Sequence, residues 1–218
     1  MSGMPSRSHL FLRCLLLCGG LTTMAFGVAL SIRADLGTSP ISSVPYVTGV
    51  ISGLSVGTTT IIMNTLFVLM QIAILRSRYQ WFQLLQIPAA VLFGGMIDVG
   101  EWLLGWLVCS RYLQQWLACG IGIVLVALGV SLEVTAGLVT TAGEGVVLAI
   151  CQVFPVKFGN MKVAFDITLV GLSVITGLLC LGHLSGVGEG TVAAALLVGL
   201  VTKQVQRPMR YFAARHLA

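Results

Sequence analysis

Apolar residues in this chain run in long unbroken blocks separated by short polar breaks. The blocks approach the length of about 20 residues that crosses the hydrocarbon core of a bilayer. Spans are predicted over residues 9–32, 57–75, 82–106, 112–134 and 160–181, with a sixth, shorter and Ala-rich, centred on 191–201. Two other apolar segments, 41–51 and 146–154, are too short to cross. They predict half-helices that enter the membrane without spanning it. Each follows a polar, small-residue break: Arg33 to Pro40 before the first, 135–145 before the second. Pro88, Gly94 and Gly95 interrupt the third span, where neighbouring helices can satisfy the freed backbone groups.

The layout occurs twice. At an offset of 102 residues, Gly27, Val28, Leu30, Ala34, Leu36 and Thr38 meet Gly129, Val130, Leu132, Ala136, Leu138 and Thr140, six identities in twelve positions. The same register carries Leu15 onto Leu117, Gly20 onto Gly122, Val44 onto Val146, Gly57 onto Gly159 and Val68 onto Val170, without a gap. The expected organisation is one membrane domain: repeat one at about 9–107, repeat two at about 111–203, and a basic tail at 204–218. Membrane transporters often hold their substrate where two such repeats meet.

Charge sets the orientation. With Arg7 and Arg13 in the cytoplasm and the first half-helix not crossing, Arg76, Arg78, Lys157, Lys162 and the basic tail also fall inside. Only Arg33 and Arg111 fall outside, which obeys the positive-inside rule. Three spans per repeat is an odd number, so the second repeat enters from the opposite face. The fold class expected is therefore all-α and polytopic: about six transmembrane helices as two inverted three-helix repeats, each with a half-helix. If the short segments crossed, the repeats would be parallel and Arg76 and Arg78 would lie outside.

Composition agrees with a multi-pass protein. The chain is 57% hydrophobic and 9% charged, with a mean hydropathy of +1.00; a soluble domain carries roughly 25% charged residues. The six cysteines form no C-x-x-C pair and lie mostly within apolar segments, as small packing residues. The segment Leu15-Leu16-Leu17-Cys18 is a poor cleavage context, and apolar character continues to Ile32, so the first block is expected to be a retained helix. No phosphate loop, dinucleotide fingerprint, nucleophile–base pair or metal constellation is present. The expectation is a protein without enzymatic activity, cofactor, metal or nucleic-acid partner. Tyr211 and Phe212 within the basic tail suit an anionic lipid surface.

The polar residues that remain are the candidate chemistry. A charge at mid-membrane costs about 2.5–3.5 kcal/mol on insertion scales, so it tends to face an interior or a water-filled cavity. Asp166 lies about six residues into its span, and its repeat mate is Asn64. The pair suits a proton- or cation-coupled site, or an interhelical hydrogen bond that ties the bundle. Thr38, Ser39 and Pro40 match Thr140, Thr141 and Ala142, each set just before a half-helix. Thr, Ser and Pro suit a cap and first turn, and the exposed N–H groups of a half-helix favour an anionic group. Glu144, in the first turn of the second half-helix, either stabilises that dipole or occupies such a site. Asp35, in the first polar break, completes the substrate- or ion-binding candidates. Asp98 and Glu101 share a helix face and are expected at a solvated mouth, paired with Arg33 or Arg111. Glu133 and Glu189 read as interfacial.

Three stretches carry a family likeness: Ala34-Asp35-Leu36-Gly37-Thr38-Ser39-Pro40-Ile41, Gly53-Leu54-Ser55-Val56-Gly57-Thr58 and Leu85-Gln86-Ile87-Pro88. In this order they resemble the YczE/YyaS/YitT family of bacterial membrane proteins over nearly the whole chain. The resemblance implies a bacterial inner-membrane protein of five or six spans and no particular activity. Two functions fit the residues. One is a secondary transporter or exporter of a small solute or ion. The other is a non-transporting accessory protein of a biosynthetic or envelope complex, with a need to assemble as a homo-oligomer. A cysteine placed at Ser77 is expected to react with an impermeant thiol reagent only from the cytoplasmic side; reaction from outside would favour parallel repeats.

Overall fold

The computed structural model describes residues 7–216, with side chains from Leu10 to Met209 except Arg207. Eight α-helices make up the described chain, with no strand among them. They are α1 (Arg7–Ala34), α2 (Pro40–Ser52), α3 (Val56–Leu75), α4 (Gln86–Leu103), α5 (Tyr112–Ala136), α6 (Ala142–Val153), α7 (Phe158–Leu181) and α8 (Glu189–His216). Two 3-10 turns, Arg76–Arg78 and Trp81–Leu85, join α3 to α4. Moved by 102 residues, the start of α2 falls on the start of α6 and the start of α3 on the start of α7.

Five helices are long and apolar enough to cross a membrane: α1, α3, α4 with its preceding turn, α5 and α7. The α8 helix is longer than the sequence predicts and runs unbroken through the basic segment, but Lys203 and its polar neighbours shorten its apolar part. The two short helices form where expected. Ser39 precedes α2 in extended backbone, Pro40 opens it, and Gly53 closes it with φ 73°. At about 1.5 Å per residue, neither α2 nor α6 reaches across a core of about 30 Å. Pro88 does not break its span, because it sits in the first turn of α4, where no intrahelical N–H is needed.

The centre of the fold is the contact between α1 and α5. A methyl group on Gly20 would lie 2.8 Å from the Gly129 carbonyl oxygen, and one on Gly27 would lie 2.7 Å from that of Gly122. Gly20 meets the later glycine and Gly27 the earlier one, so the two helices run antiparallel. With lipid on the outside, helices gain little from apolar burial against each other, and close approach through small residues supplies van der Waals contact instead. Around this pair, α4 packs on α1 and α8 on α5, while α2 packs on α7 and α6 on α3. The short helix of each half thus lies against a long helix of the other.

One contact is not repeated. In the first half α3 crosses α4 where Gly57 abuts the Gly94 backbone, with no room for a side chain at either. The corresponding residues are Gly159, which has nothing within 4 Å, and Leu196, which is 65% exposed. Accordingly α7 and α8 do not pack closely. Gly57→Ala is expected to cost about 1–3 kcal/mol through overpacking, whereas Gly159→Ala should leave stability within about 0.5 kcal/mol. Thermal unfolding in detergent compares the two; equal losses would contradict the asymmetry.

Candidate functional site

The α1–α2 loop is built to be held open at its edge and fixed at its base. Asp35 adopts φ 56° and Gly37 φ 94°. A Cβ at Gly37 would fall 2.5 Å from the Gly188 nitrogen, so the loop approaches the α7–α8 connection backbone to backbone. The Thr38 N–H donates to the Gly186 carbonyl at 3.0 Å, and the Gly190 N–H donates to the Leu36 carbonyl at 2.7 Å. Beside this seam lies a cavity of about 480 Å³, with Ser31, Asp35, Thr38, Tyr46, His183 and Glu189 in its wall. Tyr46 lies beside Ser185 there, and the Tyr112 hydroxyl donates to Glu189 Oε2 at 2.6 Å. A second space of about 610 Å³ shares Ile32, Asp35 and Tyr46 and adds Arg33 and Glu101.

Arg33 and the two carboxylates of α4 divide their work. Arg33 Nη2 donates to the backbone carbonyl of Glu101 at 2.8 Å, with the Glu101 carboxylate close enough to feel its charge. Asp98 pairs with neither arginine. Its Oδ1 accepts from the Gly57 N–H at 2.8 Å and its Oδ2 from the Ser55 hydroxyl at 2.7 Å. It therefore closes the N-terminus of α3, where a negative group meets the positive end of the helix dipole.

Nearer the middle of α1, around Leu17 and Leu21, the space is small. Leu17, Leu21, Asn64, Gln86, Glu133 and Thr140 enclose about 20 Å³, together with Thr141 and Ala142. That is room for one water molecule. Asn64 donates to the Thr60 carbonyl of its own helix at 2.8 Å. Gln71 and Gln86 exchange amide hydrogen bonds at 2.9 and 3.3 Å, and Gln71 also donates to the Ala142 carbonyl at 3.0 Å, holding the start of α6 in place. Glu133 is 4% exposed and lies beside the Thr141 backbone N–H. Glu144 lies within electrostatic reach of Glu133 and of Lys162 and Asp166, which form an ion pair at 2.6 Å.

The candidates read from sequence thus fall into three places. Asp35 and Thr38 line the large cavity; Asn64, Thr140 and Thr141 line the small one. Asp166 joins Glu144, and its hydrogen-bond partner is Lys162 one turn earlier, not its repeat mate Asn64. Ser39 and Thr141 occupy the N-cap positions of α2 and α6, but neither side chain makes the capping bond. The Ser39 hydroxyl donates to the Ser42 hydroxyl at 3.0 Å.

The sequence placed Glu133 at the interface, whereas the structure buries it in the α1–α5 contact; Tyr46, Gln71 and Gln86 were not among its candidates. Glu133 had a usable signal. It shares a helix stripe with Gly122, Val126 and Gly129, at spacings of four, three and four, so it faces α1 with them. Asp98→Ala is expected to cost about 0.5–2 kcal/mol by removing the closure of α3, and Asp98→Asn less, because an amide oxygen still accepts. Unfolding in detergent with hydrogen exchange in the first turn of α3 checks this; unchanged protection there would show the closure to be unimportant.

The comparisons with known proteins agree on kind and leave activity open. The chain is 28% identical over 219 residues to the uncharacterized membrane protein YczE of Bacillus subtilis (strain 168), an alignment covering 97% of this chain and 95% of that one. No solved structure gives a significant match. Residues 11–207 match a family of unknown function, DUF6198. This membrane protein, resembling YczE along nearly all its length, belongs to that family.

Proposed function

We propose that the protein is a secondary transporter of a small solute, working in a bacterial cytoplasmic membrane by alternating access between two inverted repeats. One observation supports the reading: two cavities built from equivalent positions differ greatly in size, one roomy and one with space for a single water. Ser31, Thr38 and Gly188 line a space of about 480 Å³. Their mates at the 102-residue offset, Glu133, Thr140 and Gln86, line one of about 20 Å³. A protein that exposes its interior to each side in turn has one end open and the other shut in each state.

The helix packing supports the inversion. The glycine contacts exchange under the offset, since Gly20 and Gly27 correspond to Gly122 and Gly129. Two equivalent antiparallel helices are related by a two-fold axis perpendicular to them. For helices that cross a bilayer, that axis lies in the membrane plane. Cytoplasmic termini follow from the arginine and lysine positions, and the large cavity then faces outward. The Asp35, Glu101 and Glu189 carboxylates against a single arginine favour a solute with a cationic group.

The test uses a variant whose native cysteines are replaced. A cysteine at Ser31 reports on the large cavity, and one at Ala90, 6% exposed, reports on the small one. Thiol labelling is expected at 31 from outside and, more slowly, at 90 from the cytoplasm as the second end opens. Comparing metabolites of deletion and complemented strains then identifies the solute class. If position 90 never reacts in membranes and no metabolite moves, the protein is a static component and the accessory role replaces transport.

A further inference from the structure

Glu133 is the carboxylate that transport as described leaves unused, and its surroundings are unusual. Of the seven carboxylates in the chain, it alone is buried; the others are half-buried or exposed. It has four lone-pair positions to satisfy when ionised, and the protein donor beside it is the Thr141 N–H. Among the described residues no cation reaches it as an ion pair.

On α3 and α4 the facing groups are the amides of Asn64 and Gln86. On α6 the neighbour is Glu144, a second negative group. On α7, Lys162 is committed to Asp166. Arg13 on α1 has a partner of its own, and Lys203 on α8 is exposed. A buried carboxylate without a paired cation is costly as an ion, and taking up a proton removes the cost. The cavity beside it has room for one water, and Glu144 leads from it to the Lys162–Asp166 pair, whose side chains are 28% and 24% exposed.

We propose that Glu133 is the proton-exchange group of this protein, protonated while the small cavity is shut and ionised when that cavity opens to water. The proposal rests on the alternating-access reading. In the step, the carboxyl O–H bond breaks and the proton passes to water in the opened cavity, leaving a carboxylate. No other bond changes. The equivalent position at the other end is Ser31, which cannot ionise in this range, so the exchange belongs to one end only. The sign follows: the shut state holds a proton that the open state releases, so raising pH favours opening.

Two measurements on the full-length purified protein test this. The first is an infrared pH titration of wild type against Glu133→Gln. The difference spectrum is expected to contain one carboxylic-acid C=O band at neutral pH that converts to carboxylate as pH rises. A band absent at every pH, or unmoved throughout, overturns the proposal. Should Glu133→Gln fail to fold, judged by size-exclusion elution, Glu133→Asp shifts the same band and keeps the assignment. The second is labelling of a cysteine at Ala90. Divided at each pH by the rate of a free thiol, which rises with its own thiolate fraction, the rate is expected to climb about tenfold per pH unit through the titration, as a one-proton linkage requires, and to be flat in Glu133→Gln. A rate equally pH-dependent in both overturns the coupling. If position 90 never reacts in either, alternating access fails, while the infrared titration still decides whether Glu133 exchanges its proton.

Discussion

The closeness of α1 to α5 is the constraint on which the remaining architecture depends. Four glycines let two backbones approach to within contact of each other's carbonyl groups. In a bilayer that approach is the main source of cohesion available to two apolar helices. Once α1 and α5 are joined in this way, the chain direction of every following helix is set. The short helix of each half reaches over the seam and packs on a long helix of the other. The two loops that end α1 and α5 are thereby carried to opposite ends of the molecule, and each becomes the wall of a cavity.

The polar groups show what such a scaffold makes possible. A half-helix leaves backbone groups inside the membrane that a full span would satisfy internally. Here they are met by side chains and backbone from the other elements: Gln71 on the Ala142 carbonyl, and Gly186 on Thr38. Cavities lie where the helices are interrupted, and close backbone contact where glycine brings them together.

Much of this was legible in the residues. Block length gave the long helices, Pro40 and Gly53 gave the bounds of α2, and the matching of Gly27 with Gly129 gave the duplication. The length of α8 was not, because its second half carries the charges that ordinarily mark the end of a span while remaining helical. The partners of Asp166 and Asp98 were not legible either. A sequence offset relates matching residues, whereas helix packing brings non-matching ones together. Thus Asn64 is the mate of Asp166 but shares a cavity with Glu133, and Asp98 meets the N-terminus of α3 through a crossing that no spacing in the sequence reveals.

That crossing also distributes stiffness unevenly. Asp98 and the Gly57–Gly94 contact clamp α3 to α4. At the corresponding places the second half has Lys157, Gly159, Leu196 and Leu200, which can neither close a helix end nor interlock. The α7 helix, which carries the Lys162–Asp166 pair and packs on α2 and α6, is thus held without the interlock that ties α3 to α4. One half of the molecule has a backbone-to-backbone clamp that the other lacks.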